Sequence, residues 1–176
     1  MKQVFKVVEP YRVPDGTLVS PFLNCKDSMS GLPFDLLDGF SLAAGTIEPK
    51  TRSKIHLMSF VTQVTFVRQG NLQVRMKGPR DDDSYSLSIR TDEAVITEPG
   101  TFFQLVNDEP ESCEVLYIVS PAYLFEMSNE HVVYDDSVVF EENWDNLKSS
   151  GWRPAVQLPA IEQRQGAEHR MSIRSE

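Results

Sequence analysis

The stretch KIHLMSFVTQVTFVRQG, from Lys54 to Gly70, places polar side chains at a fixed spacing between short apolar runs. His56 is followed by Met58 two positions on, by Gln63 five positions later, and by Gly70 after seven more. The second half of the stretch is rich in Val, Thr and Phe, which is typical of a β-strand. The stretch therefore predicts two strands, with His56 on the first and Gln63 on the second.

The composition is that of one globular domain. The chain has 176 residues, of which 40% are hydrophobic, and no apolar run approaches the ~20 residues that a membrane span needs. Its formal net charge of −9 argues against a nucleic-acid partner, because phosphates favour clustered Lys and Arg. The start, MKQVFKVVEPYRV, lacks the apolar segment of a secretory signal. We therefore expect a cytoplasmic protein with no membrane partner, in which Cys25 and Cys113 are isolated, reduced thiols.

Strand-like runs recur along the chain at intervals of about 8–12 residues, with Gly, Pro, Asp and Asn between them. This pattern predicts an all-β chain folded as an antiparallel sandwich or barrel. The segment RQGN (68–71) predicts a tight hairpin, and DDDSY (81–85) predicts a solvated hairpin tip. The predicted strands are 17–24, 40–47, 61–67, 72–77, 85–90, 93–97, 101–107 and 113–119.

Two segments flank the predicted strands. Residues 1–38 are rich in loop signals and are expected to form a lead-in of one or two strands, which could also serve as a dimerisation arm. Residues 39–126 form the predicted barrel. Residues 127–176 form a C-terminal extension, with a short helix predicted in 142–152 and a polar tail from Arg153.

The opening stretch resembles the first sequence signature of the cupin family, G-x5-H-x-H-x4-E-x6-G. His56 stands at the first histidine, Met58 at the second, Gln63 at the glutamate and Gly70 at the closing glycine. The upstream glycine departs from the pattern, because Gly45 lies eleven residues before His56.

The second cupin signature, G-x5-P-x-G-x2-H-x3-N, has a counterpart in EPGTFFQLVN. Aligning Gly100 and Asn107 with this signature puts Phe103 at the third histidine and Glu98 at the proline. The resemblance covers roughly residues 40–126, and it implies a double-stranded β-helix barrel of the jelly-roll type.

The resemblance implies that metal-dependent relatives hold iron, manganese, nickel or copper through three His and one Glu. Here His56 is retained, while Met58, Gln63 and Phe103 replace the other three. An amide oxygen and a thioether are weak ligands for a hard divalent ion, and a phenyl ring donates nothing. We therefore expect no metal cofactor, with iron, nickel or copper held by atypical ligands as the alternative.

The resemblance implies a candidate site inside the barrel mouth, and alternation along the strand places Lys54, His56 and Met58 on one face. An imidazole ordinarily exchanges protons near neutral pH, so His56 is the predicted catalytic group. Arg52 or Lys54 would hold an anionic part of the ligand, and Gln63 would orient it. The full set of predicted substrate-binding residues is Arg52, Lys54, Met58, Gln63, Thr65, Phe103, Leu105 and Asn107.

Three functions follow from the resemblance and the altered motif. The first is a metal-independent cupin enzyme that performs non-redox proton transfer on a small biosynthetic metabolite, as an isomerase, cyclase or lyase. The second is a non-catalytic cupin that binds a metabolite. The third is a metal-dependent dioxygenase with atypical ligands. Cupins of this size commonly pair, and an open barrel has an edge strand that needs cover, so a homodimer is expected.

Overall fold

The computed structural model describes residues 9–23, 39–128, 131–140 and 143–147. Every regular element within these residues is a β-strand, which confirms the predicted all-β class. No helix in this part of the chain has the length and apolar character needed to cross a membrane. All eight predicted strands are present, with ends that differ from the predicted ones by at most two residues.

The described part of the chain contains fourteen strands. They are β1 (Tyr11–Arg12), β2 (Leu18–Leu23), β3 (Ser41–Ile47), β4 (Thr51–Arg52), β5 (Ile55–Met58), β6 (Thr62–Gln69), β7 (Asn71–Lys77), β8 (Tyr85–Arg90), β9 (Ala94–Thr97), β10 (Phe102–Asn107), β11 (Cys113–Ser120), β12 (Phe125–Ser128), β13 (His131–Asp135) and β14 (Ser137–Phe140).

The strands form two large antiparallel sheets. The first has the order β1-β2-β3-β11-β6-β9, and the second has the order β14-β5-β10-β7-β8, with β4 also paired to β10. A separate pair joins β12 to β13. Strand β11 pairs with both β3 and β6. The first sheet therefore forms only when strands that are far apart in the sequence come together.

The main core lies between the two sheets. Val67, Val74, Val115 and Phe103 are fully buried there, each from a different strand. The alternating burial along β6 and β7 matches the period of two that a strand facing a core requires. The barrel interior therefore consists of inward-facing side chains from both sheets.

A second apolar cluster covers the outer face of the second sheet. Ile55, Leu57, Phe102 and Leu147 are buried in it, so β5 is buried on both faces. Strand β14 pairs with β5 and lies beyond residue 126, where the sequence prediction ended the barrel.

The predicted hairpin at residues 68–71 is wrong. Gly70 adopts φ +94° and ends β6 sharply, but β6 belongs to the first sheet and β7 to the second. The turn therefore carries the chain from one sheet to the other, because turn residues specify a reversal and not the partner of the next strand. The hairpin tip predicted at 81–85 is confirmed, since β7 and β8 pair on either side of it.

The predicted helix at 142–152 is absent from the part of that segment that the structure describes. Residues 143–147 form a turn, which packs on the second sheet. The Trp144 indole N–H donates to Gln104 Oε1 at 3.0 Å, and the Lys77 ammonium donates to the Leu147 carbonyl at 2.8 Å. These contacts hold the turn against the sheet. The polar tail from Arg153, and Cys25, lie outside the described residues.

Candidate functional site

A partly enclosed cavity of about 110 Å³ lies among strands of both sheets. Its lining comes mainly from the first sheet, the β1–β2 turn and the segment from 123 to 137. Most of the lining is apolar, but polar groups interrupt it at several points. The polar groups that bear on chemistry are Asp15, His56, Gln63, Tyr117, Tyr123 and Asp135.

His56 enters the cavity from β5. Alternation along β5 turns His56 and Met58 inward, where both line the cavity, and turns Ile55 and Leu57 toward the outer cluster. His56 is 4% exposed, and its imidazole ring packs against the Phe103 ring at a centroid distance of 3.9 Å. Phe103 therefore packs against the His56 ring, while the ring nitrogen atoms of His56 remain available for polar contacts.

The backbone fixes the tautomer of His56. Nδ1 lies 2.9 Å from the Lys54 carbonyl oxygen, and a carbonyl can only accept a hydrogen bond. Nδ1 therefore carries a proton and donates it to this oxygen. In the neutral ring, Nε2 then carries a lone pair. Nε2 is therefore the atom that can accept a proton from a ligand.

Asp15 faces Nε2 from the β1–β2 turn. Its Oδ2 lies 3.6 Å from His56 Nε2, which is within ion-pair range but longer than a hydrogen bond. Its Oδ1 accepts from the Thr17 amide at 3.0 Å and from the Thr17 hydroxyl at 2.9 Å. The Asp15 carbonyl accepts from the Lys54 amide at 2.6 Å. The turn is thereby docked on β5, and Oδ2 is left facing the histidine.

Tyr117 brings an unsatisfied hydroxyl to the same cavity. Its hydroxyl is buried and has no hydrogen-bond partner of normal geometry, although the Thr17 side chain lies near enough to oppose the rise of its pKa. Burial, and then the negative charge of Asp15, raise the pKa of the Tyr117 hydroxyl far above its ordinary value. The phenol therefore stays protonated throughout the neutral range.

Tyr123 and Asp135 form a second polar pair in the lining. The Tyr123 hydroxyl donates to Asp135 Oδ1, which also accepts from the Ser137 amide at 2.9 Å. Burial is the main cause that raises the pKa of Asp135 to about 6. The charges of Asp136 and Asp15 add to this rise, while the two hydrogen bonds oppose it.

The raised pKa of Asp135 predicts a pH-dependent loss of stability. Between pH ~4 and ~6 the folded state holds a proton that the unfolded state has released, so the free energy of unfolding falls as pH rises through this window. The shift corresponds to at most about 3 kcal/mol. Because an asparagine oxygen still accepts from Tyr123 and Ser137, Asp135→Asn should gain stability relative to the native protein as pH rises from 4 to 6.

Urea unfolding of both proteins across this pH range measures the difference. Asp145→Asn, at an exposed position, serves as the control and should show a much flatter difference. An offset between native protein and Asp135→Asn that is equal at pH ~4 and pH ~7 would contradict the assignment.

Several residues predicted from the sequence meet at this cavity, and others lie behind it. Met58, Gln63 and Leu105 line it together with His56. Thr65 is buried beneath Gln63 and accepts from its side-chain amide at 3.1 Å. Phe103 supports the His56 ring from behind.

The remaining three predicted residues lie away from the cavity lining. Arg52 and Lys54 are exposed. Asn107 is fully buried, and its side-chain amide donates to the carbonyls of Ile47 and Glu111 at 3.0 and 2.8 Å. Asn107 thus anchors the loop after β10. The substrate-binding roles given to these residues stay predictions.

Sequence reasoning missed Asp15, Tyr117, Tyr123 and Asp135. The Asp-Gly-Thr run after Pro14 is a turn signal with a side chain that can cap its own backbone, but it does not say where the turn docks. Tyr117 could have been found, because alternation along β11 places it inward with Val115 and Val119. Asp135 lies in a segment for which no barrel strand was predicted.

The residues at the four motif positions do not fit a divalent transition metal. His56 supplies one imidazole, and its free nitrogen faces Asp15. Met58 and Gln63 offer only a thioether and an amide, and Phe103 offers no donor. Within the described residues, no group of three or more His, Cys, Asp or Glu side chains is placed to hold a metal ion.

Cys113 is buried. This burial is the main cause that raises the pKa of the Cys113 thiol to about 11, and the charge of Glu114 adds to the rise.

No model of a protein family matches the sequence, and the search of curated proteins found no match.

Solved structures give clear matches in fold. Drosophila melanogaster CENP-C bound to CAL1 matches at TM-score 0.52 and 14% identity, over 63% of this chain and 75% of that one. A protein with a double-stranded β-helix domain from Klebsiella pneumoniae matches at 0.50 and 14%, over 76% and 81%. Oxalate oxidase in complex with glycolate matches at 0.51 and 19%, over 62% and 53%. The two facing antiparallel sheets and these likenesses together show that the chain has the cupin fold, a double-stranded β-helix barrel.

Proposed function

We propose that the protein is a metal-independent cupin enzyme that transfers protons on a small metabolite bound in the barrel cavity. The observation that carries this proposal is the pairing of His56 Nε2 with Asp15 Oδ2 at 3.6 Å inside the cavity. A buried histidine with one nitrogen tied to the backbone and the other facing a carboxylate is suited to accept and return a proton. Isomerases, cyclases and lyases share this elementary step.

His56 acts as the general base in this proposal. Nε2 takes a proton from an acidic C–H or O–H bond of the substrate, and the electron pair of that bond stays on the substrate. The imidazolium that forms is stabilised by the Asp15 carboxylate and by the Nδ1–H bond to the Lys54 carbonyl. Return of the proton to a different atom or face gives an isomer, whereas departure of a leaving group gives a lyase product.

Tyr117 acts as the hydrogen-bond donor to the substrate in this proposal. Its hydroxyl is protonated, buried and without a partner, so it can donate to an oxygen on which negative charge develops. Such a donor gains strength when water is excluded, because the local dielectric constant is low. The apolar walls formed by Met58, Leu105 and Val119 provide this exclusion.

Hydrogen–deuterium exchange tests the proposal even while the product is unidentified. The protein is incubated in D₂O with a panel of small carbon acids, comprising amino acids, keto acids, hydroxy acids and aldoses, and deuterium incorporation is read by mass spectrometry. We expect catalysed exchange on at least one class, unchanged by a strong chelator. Exchange abolished by the chelator would favour the metal-dependent alternative. Binding without exchange across the panel would favour the non-catalytic alternative.

A further inference from the structure

We propose that the ligand of this cavity is a small organic ammonium ion that carries at least two N–H bonds, held between Asp15 Oδ2 and the Tyr117 hydroxyl oxygen. This proposal rests on the proposed function and names the substrate class of the same site. It departs from the anionic ligand predicted from Arg52 and Lys54, since both of those side chains are exposed and neither lines the cavity.

The charge of the lining favours a cation. Asp15 and Asp135 both line the cavity, and they lie close enough for Asp15 to raise the pKa of Asp135. Among the described residues, no Lys or Arg belongs to the lining. Because two carboxylates and only one imidazole belong to the lining, an anionic ligand would meet repulsion in a partly enclosed site of low dielectric constant. The net charge of −9 on the whole chain adds a long-range attraction for cations.

Tyr117 supplies an independent sign that a polar ligand group belongs here. The residue is 7% exposed, lines the cavity, and its hydroxyl has no hydrogen-bond partner. A buried polar group without a partner is destabilising, so a ligand that completes its hydrogen bonding gains affinity. One ammonium N–H can donate to this oxygen and another to Asp15 Oδ2, because the hydrogen bonds from Thr17 go to Oδ1.

The aromatic content of the lining also suits a cation. Tyr11, Tyr117, Tyr123 and Phe125 all line the cavity. Aromatic faces attract ammonium ions through the ring quadrupole, most strongly where water is excluded. Carboxylates together with aromatic rings therefore favour a charged amine over a neutral alcohol of the same shape.

A matched ligand series tests the charge preference. Isoamylammonium, isoamyl alcohol and isovalerate share a branched skeleton of about five carbon atoms and differ in the charge of the head group. Binding to the full chain near neutral pH is measured by isothermal titration calorimetry. We expect isoamylammonium to bind at least about tenfold more tightly than the alcohol and isovalerate to bind most weakly. Equal affinities, tighter isovalerate, or no isoamylammonium binding at about 10 mM would overturn the proposal.

Substitutions locate the binding site and separate this proposal from the catalytic one. Asp15→Asn and Tyr117→Phe should each weaken isoamylammonium several-fold, while the exposed Asp145→Asn and Tyr85→Phe should leave it unchanged. Ammonium selectivity that survives both Asp15→Asn and Tyr117→Phe would place the ion elsewhere and overturn the proposal. Selective ammonium binding without deuterium exchange would refute proton transfer and leave the ligand class standing. Exchange with a preference for anions would refute the ligand class alone.

Discussion

Replacing His56 with Gln should lower catalysed deuterium exchange by at least about 100-fold, because a positioned general base contributes roughly 10²–10⁴ in rate. The glutamine amide can still donate to the Lys54 carbonyl, which His56 Nδ1 contacts at 2.9 Å in the native protein. Glutamine has no basic nitrogen, however, so it cannot take the proton from the substrate. The measurement is the exchange rate of the responding substrate, read by mass spectrometry for both proteins. Exchange by His56→Gln at the native rate would refute the role of His56.

A matched pair of tyrosine variants shows whether such a loss is specific to the site. Tyr117→Phe removes the unpartnered cavity hydroxyl and should reduce exchange by about tenfold or more, as expected for the loss of a buried donor. Tyr85→Phe makes the same change at a position that is 46% exposed and should leave exchange unaffected. Near-native melting temperatures for these variants and for His56→Gln exclude unfolding as the cause. A loss in Tyr85→Phe as large as in Tyr117→Phe would show that the assay reports on stability.

The fold was largely predictable because its signals are local. The period of two along β6 and β7 and the turn residues between strands are read within a few positions of each other. The hairpin at 68–71 failed because pairing is a property of the whole barrel. Gly70 fixes a sharp reversal, but the partners of β6 are β9 and β11, which follow much later in the sequence.

The candidate site was predictable only in part, for the same reason. His56, Met58 and Gln63 could be identified because they occupy spaced positions within one motif. Asp15 reaches the site through a turn whose docking depends on a backbone hydrogen bond from Lys54, and no local pattern encodes that contact. The sequence prediction concerned only the charged side chain of Lys54, and it missed that the Lys54 backbone positions Asp15 and His56.

Gly45 supports the site from the neighbouring strand, and its replacement with Ala should be strongly destabilising. A Cβ atom at this position would lie 2.3 Å from Tyr117 Cε2 and 2.9 Å from Val115 Cγ2. Both neighbours are buried between the sheets, so neither can move without displacing other packed side chains. Overpacking of this kind lowers the free energy of unfolding by about 1–3 kcal/mol. Urea denaturation measures the change, and Gly39→Ala, with no atom within 4 Å of its Cβ, is the control.

A double-mutant cycle identifies the Tyr117 ring as the source of this cost. In a Tyr117→Ala background the ring that a Cβ at residue 45 would meet is gone, whereas the 2.9 Å contact with Val115 remains. Gly45→Ala should then be less destabilising than in the native protein by about 1 kcal/mol or more, since residues in direct contact are energetically coupled. Strictly additive effects would contradict this packing. Because a Cβ at residue 45 must displace the Tyr117 ring, which lines the cavity, Gly45→Ala should also weaken isoamylammonium binding.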